Sequence, residues 1–183
     1  MKWIKRILVT IFGLFAFLLI LAIFVKKDYV VVRTVVINAP IDSVFNYIKF
    51  VKNQDNYGVW FSKDPKMEKS YKGTDGKVGF VYAWKSTNEE VGVGEQEIVK
   101  IEEGKRIDMK LRFKVPFEAE DDCYLLTEKV GSAKTKVSWG FSGSMPYPIN
   151  IMNLFMDMDN MVGSDLQKGL DKLKVVLEEK KGN

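Results

Sequence analysis

Ile7 to Val25 is a run of 19 residues without a charge (ILVTIFGLFAFLLILAIFV), bounded by Arg6 and by Lys26-Lys27. As a helix rising about 1.5 Å per residue it reaches about 28 Å, close to the hydrocarbon thickness of a bilayer. A cleaved signal peptide shares the basic start seen in Lys2, Lys5 and Arg6, but its apolar stretch holds only about 7–15 residues and ends at small side chains. Here the run ends in Ile23-Phe24-Val25-Lys26-Lys27, with no Ala-x-Ala site. A core helix seldom runs this long without charge. The stretch is therefore read as one transmembrane helix, an uncleaved signal anchor crossing the membrane through residues 7–25. It makes residues 1–27 an anchor and residues 28–183 one domain. Basic residues flank the run in nearly equal number on both sides. The short segment before it then decides the orientation, with the N-terminus cytoplasmic and the domain extracytoplasmic.

Composition closes off several chemistries. The chain has no His and a lone Cys123, which removes a Ser-His-Asp triad, a Cys-His pair, zinc fingers and internal disulfides. Five of the 28 Lys and Arg fall in residues 1–27, which hold no acid, leaving 23 against 24 Asp and Glu beyond. A near-neutral body lacks the clustered cations that a phosphate backbone requires, so no nucleic-acid partner is expected. Glu118, Glu120, Asp121 and Asp122 form an acidic run without the glycine turn of a calcium loop, and it reads as a solvated strand face. No metal site follows. Gly92-Val93-Gly94 opens no helix, so no dinucleotide cofactor is expected.

From Tyr29 to Asn38 the pattern turns to β-branched alternation and predicts a first strand directly after the anchor. Pro40 is placed to open a short helix with Val44, Phe45 and Ile48 on one face. Residues 53–65 read as a second short helix or an aromatic-bearing loop. Strands follow to about Ser144. Val78, Phe80, Tyr82 and Trp84 share one face, Ile107, Met109, Leu111 and Phe113 another, and Val137, Trp139 and Phe141 a third. Turn residues at hairpin spacing make the sheet antiparallel. After Pro148 a long amphipathic helix is predicted, carrying Leu154, Met158, Met161, Val162, Leu166, Leu170, Leu173 and Leu177.

The fold class is thus α+β: a curved antiparallel sheet of about seven strands wrapped on a long C-terminal helix, preceded by one transmembrane helix. This order resembles the START-like helix-grip fold. Ile37-Asn38-Ala39-Pro40, Val44-Phe45-Asn46-Tyr47-Ile48, the Trp60 region, Gly94-Glu95-Gln96-Glu97-Ile98, Trp139-Gly140-Phe141 and Gly169-Leu170-Asp171-Lys172-Leu173-Lys174 carry the likeness. Over roughly residues 29–180 the chain resembles the SRPBCC superfamily, in its polyketide cyclase/dehydrase and lipid transport branch. The resemblance implies an apolar cavity between sheet and helix, and binding or carriage of a hydrophobic small molecule or lipid. These are framework motifs, which speak for the fold more than for chemistry.

Candidate cavity residues are Phe80, Tyr82, Trp84, Met109, Trp139, Phe141, Met152 and Met156, whose adaptable or aromatic side chains fit a ligand pocket and an ordinary core equally well. Glu95 and Glu97 join them by strand parity with Val91, Val93, Val99 and Ile101, unless a bulge at Gly92 or Gly94 turns both outward. No catalytic residue is assigned. Two alternatives stand beside a carrier: a cyclase or dehydratase drawing protons from Glu95, Glu97, Tyr82 or Tyr124, and a protein-interaction module whose cavity has collapsed.

Overall fold

A computed structural model describes residues 2–179. Met1 and residues 180–183, at the outer limits of the two expected segments, lie outside the described residues. Helix α1 (Lys2–Phe24) is long and apolar enough to cross a membrane by length and composition, and of its residues only Ala22 is buried. Three residues later the chain enters strand β1 (Asp28–Ile37). Then come α2 (Ile41–Ile48), a 3₁₀ segment (Val51–Asn56) and α3 (Val59–Lys63). Strands β2 (Glu68–Lys72), β3 (Val81–Lys85), β4 (Val93–Glu102), β5 (Arg106–Val115), β6 (Ala119–Gly131) and β7 (Lys134–Ser144) follow. A second 3₁₀ segment (Ile149–Leu154) leads into α4 (Met158–Glu179).

The strands form one antiparallel sheet in the order β1-β7-β6-β5-β4-β3-β2, with α4 laid across β1 and β7. This is the helix-grip architecture the sequence predicts. Period-two alternation buries Ile107 and Met109 of β5 and leaves Arg106 and Asp108 outward in an ion pair. On α4 the buried residues Gly163, Leu166, Gly169, Leu170, Leu173 and Leu177 recur at three and four positions. Burying each of Leu166, Leu170 and Leu173, all at most 1% exposed, contributes about 1.5–3 kcal/mol. Gly169 lets the helix settle onto Trp139, whose ring would stand 2.9 Å from a β-carbon at that position.

Two expectations about these elements need correction. Leu154 belongs to the 3₁₀ segment and Met161 is exposed, so the apolar pattern of the last helix begins later than its spacing implies. Asp157 sets the start: its carboxylate accepts the Asn160 N–H at 3.0 Å, an N-cap interaction that opens α4 at Met158. Val78 lies exposed ahead of β3 and shares no face with the buried Phe80 and Tyr82.

Candidate functional site

A cavity of about 190 Å³ lies between the concave face of the sheet, α3 and the first turns of α4. Its wall is aromatic and aliphatic: Trp60 and Phe61 from α3, Trp84 from β3, Phe113 from β5, Trp139 and Phe141 from β7. Gly94, paired with Trp84 across the β3–β4 ladder, makes the first of these placements possible. A β-carbon on Gly94 would come within 2.7 Å of the Trp84 ring. With that space free, the indole lies over β4, donates Nε1–H to the Val91 carbonyl (3.2 Å) and meets Phe113 edge-on at 6.0 Å. Trp139 is held edge-on between Trp60 (6.3 Å) and Tyr57 (5.7 Å). An apolar cavity of about 150 Å³ is enough to take up benzene, so this volume suits one ring or a short chain.

Three of the ten residues named from sequence, Trp84, Trp139 and Phe141, line this cavity. Phe80, Tyr82 and Met109 are core residues behind the wall. The Tyr82 hydroxyl donates to Asp55 at 2.7 Å, and burial with that bond pushes its pKa far up. Met152 is exposed on the second 3₁₀ segment, and Met156 lines a separate open hollow with Phe24 and Tyr29, where α1 joins the body.

Glu95 and Glu97 are the clearest correction. β4 alternates without interruption from Val93 to Ile98, with Gly94, Gln96 and Ile98 on the buried face and Val93, Glu95 and Glu97 on the other; the extra residue at the Val93–Gly94 register shift is Lys114 of β5. A second register shift, between Ile98 and Lys100, makes Val99 the extra residue in β4, so Ile101 packs against the core although its spacing matches that of the outward glutamates. Both glutamates lie on the outer face, where Arg112 Nη1 reaches Glu95 at 3.1 Å and Glu97 at 2.8 Å. Tyr124, the remaining proton-transfer candidate, has its ring 4.0 Å below the Arg106 guanidinium and does not line the cavity either.

Sequence reasoning missed three polar residues. Gln54 and Gln96, 2% and 6% exposed, stand at the cavity's inner end beside Cys123, whose thiol burial holds far above its usual pKa. The signal for Gln96 was its parity with Ile98, which puts both side chains on the buried face, while Gln54 in the first 3₁₀ segment carried none. Asp121, taken as part of a solvated acidic face, is 7% exposed; burial and then the charge of Asp122 push its pKa up to about 6. The rest of the run does face solvent, with Glu120 and Asp122 paired to Lys110 at 3.3 and 2.7 Å. Among the described residues no group of three or more His, Cys, Asp or Glu is arranged to hold a metal ion.

Comparisons with known proteins agree with this geometry. The chain resembles norcoclaurine synthase from Thalictrum flavum, solved with dopamine and hydroxybenzaldehyde, at a TM-score of 0.61 and 10% identity over 84% of this chain and 88% of that one. The di-domain ARO/CYC of the steffimycin biosynthetic pathway matches with a TM-score of 0.63 and 8% identity over 86% of this chain and 53% of its own. A protein from Nitrosospira multiformis matches at 0.56 with 16% identity, over 85% and 100%. At such identities the likeness is one of fold. No curated protein matches in sequence. The family model described as polyketide cyclase / dehydrase and lipid transport matches residues 29–178, most of the chain and nearly all of the domain around the cavity, and the chain belongs to that family.

Proposed function

We propose that the chain binds or carries a hydrophobic small molecule, or the apolar group of a lipid, while α1 tethers the domain of residues 28–183 to a membrane. One relationship carries the reading: the cavity and the exit of α1 lie at the same end of the sheet. β1 begins at Asp28, three residues past α1, and Asp28 pairs with Ser144 at the end of β7. The wall residues Trp84, Val91 and Phe113 stand beside Lys85, Val93 and Val115, the strand ends on that same side. Exposed apolar side chains, Val115 at the end of β5, Phe117 after it and Phe155 before α4, stand at this end as well. An apolar ligand passing between a bilayer and the cavity here would cross little water, and the transfer would avoid the cost of solvating it.

The cyclase or dehydratase reading has less support, because Glu95, Glu97, Tyr82 and Tyr124 do not line the cavity. The volume of about 190 Å³ speaks against a collapsed interior. Native mass spectrometry of the full chain in nanodiscs, followed by organic extraction, tests the proposal: a co-purifying apolar molecule near the size of one ring is expected. A chain released from membranes by alkaline carbonate without cleavage would refute the tether.

A further inference from the structure

We infer that the inner end of the cavity is a hydrogen-bonding subsite formed by the carboxamides of Gln54 and Gln96, and that the ligand is a compact apolar molecule bearing one uncharged hydroxyl or carbonyl group. This narrows the binding reading above and rests on it.

Two amides in such a place demand an explanation. Gln54 is fixed by its backbone, whose carbonyl accepts the N–H groups of Tyr57 (3.2 Å) and Gly58 (2.6 Å) at the end of the first 3₁₀ segment. Gln96 is fixed by the alternation of β4, between the buried Gly94 and Ile98 and opposite Leu111 of β5. Both side chains are more than nine-tenths buried and both line the cavity. Each donates only to the Met109 thioether, at 4.0 Å from Gln54 and 2.6 Å from Gln96, and a thioether is a weak acceptor. Among the described residues no side chain or backbone group donates to either amide oxygen. A carboxamide offers two donors and a two-lone-pair acceptor, so most of this capacity faces an apolar space unused. Leaving it unmet is costly, and leucine would fill the same volume without that cost. A hydroxyl, which both donates and accepts, would complete both amides, and a carbonyl would accept from their N–H groups, since each amide can present oxygen or N–H by turning about its last bond.

Charge on the wall decides the class of that group. The one charged lining residue is Glu90, exposed at the outer end and paired with Lys63 at 3.2 Å. Among the described residues no cation lines the cavity. A carboxylate or phosphate driven to the inner end would lose its hydration and gain only neutral dipoles, whereas an alcohol, phenol or ketone loses far less.

The test uses the full chain in lipid nanodiscs with three probes of matched shape: ethylbenzene, 2-phenylethanol and phenylacetate at pH 7.5. Affinities are read by ligand-detected NMR, with partition into empty nanodiscs subtracted. Binding of 2-phenylethanol at least about tenfold tighter than phenylacetate is expected. In Gln54→Leu/Gln96→Leu the ratio of alcohol to hydrocarbon affinity should fall by about tenfold. Gln96→Met, nearer in shape, serves if the double variant does not fold. The wild-type comparison decides without any variant, since phenylacetate binding as tightly as the alcohol overturns the subsite. Ethylbenzene binding with an unchanged ratio in the variants also overturns it, and leaves the cavity reading intact. Failure of all three probes to bind overturns both.

Discussion

Asp121 of β6 and Tyr29 of β1 approach each other across Gly143 of β7, where a β-carbon would collide with both Asp121 Oδ1 and the Tyr29 hydroxyl. Burial pushes the Tyr29 hydroxyl up to about 12, with the Asp121 charge adding to it, and holds Asp121 at about 6. The bond Asp121 accepts from the Ser144 backbone and the charge of Lys110 work the other way, and burial prevails. An acid with a raised folded pKa keeps its proton in the folded state after the unfolded chain has released it. Between about pH 4 and pH 6 its contribution to stability therefore falls as pH rises. Asp121→Asn is expected to raise stability by about 1–3 kcal/mol at pH 8 and by almost nothing near pH 3.5. Urea unfolding at the two pH values checks this, and a variant less stable at pH 8 would reveal a strong partner for the carboxylate.

Gly94 is where backbone and cavity wall are coupled most tightly. Its missing side chain leaves room for the Trp84 ring on one side and the Arg112 carbonyl on the other, each 2.7 Å from a β-carbon built there. The carbonyl cannot yield, so Gly94→Ala must displace the β4–β5 ladder or the indole. A loss of about 1–3 kcal/mol is expected, with a red shift in tryptophan emission as Trp84 gains water. An unshifted spectrum at wild-type stability would show that the wall does not depend on this contact.

Tyr57 carries a polar atom with no partner: its ring is 0% exposed against Trp139, and its hydroxyl meets no acceptor or donor. Burial pushes that hydroxyl's pKa far up, so it stays protonated. Tyr57→Phe keeps the ring and removes the orphan, and stability should stay equal or rise by up to about 1 kcal/mol. A loss larger than about 1 kcal/mol in denaturant unfolding would point to a bound water or a ligand group satisfying the hydroxyl.

On the outer face Arg112 joins Glu95, Glu97 and Glu120 at 3.1, 2.8 and 3.3 Å. These carboxylates are partly solvated and remote from the cavity wall. Glu95→Gln and Glu97→Gln should each change stability by no more than about 0.5 kcal/mol, with the effect shrinking in high salt. Affinity for an apolar probe should stay within about threefold. Loss of binding in either folded variant would return the glutamates to the site.

How much of this was legible beforehand depended on whether a local rule could run uninterrupted. Alternation along β5 and the leucine stripe from Leu166 to Leu177 meet no irregularity, and with the turn spacing they were enough for the fold class. Trp84, Trp139 and Phe141 followed from the same alternation. Parity in β4 did not carry through, because Val99 is an extra residue between Ile98 and Lys100 and puts Ile101 out of phase with Glu95 and Glu97, and propensity does not encode where a bulge falls. Leu154 and Met161 misled because the 3₁₀ segment has its own spacing and cannot be told from an early helical turn by apolar residues alone. Asp121 was hidden in an acidic run, where its inward parity was visible but its burial depends on Tyr29 of the distant β1, which meets it across Gly143.

Asn150 ties α1 to the body. It is 0% exposed in the second 3₁₀ segment, and its Nδ2 donates to the carbonyls of Ala22 (2.7 Å) and Val25 (2.8 Å). Ala22 lies in the last turn of α1, where its carbonyl also takes the Val25 N–H at 3.4 Å, and Val25 is the first residue past the helix, so Asn150 adds from a distance to what a C-terminal cap does locally. Asn153 repeats the contact more loosely, reaching Lys26 at 3.0 Å and Lys27 at 3.4 Å. Asn150→Ala removes two hydrogen bonds and leaves the Ala22 carbonyl with only the long bond from Val25, a loss of about 1–3 kcal/mol at this joint. The sheet and its cavity make no use of the contact, so the body should keep its unfolding midpoint while the joint opens more often. Limited trypsin digestion of the full chain in nanodiscs reads that opening at Lys26 and Lys27. Cleavage there should quicken by about fivefold or more in the variant, since each 1.4 kcal/mol of local opening is worth a factor of about ten. Unchanged cleavage would mean that the chain leaving α1 is held by other contacts, and that the cavity's position relative to the helix does not depend on Asn150.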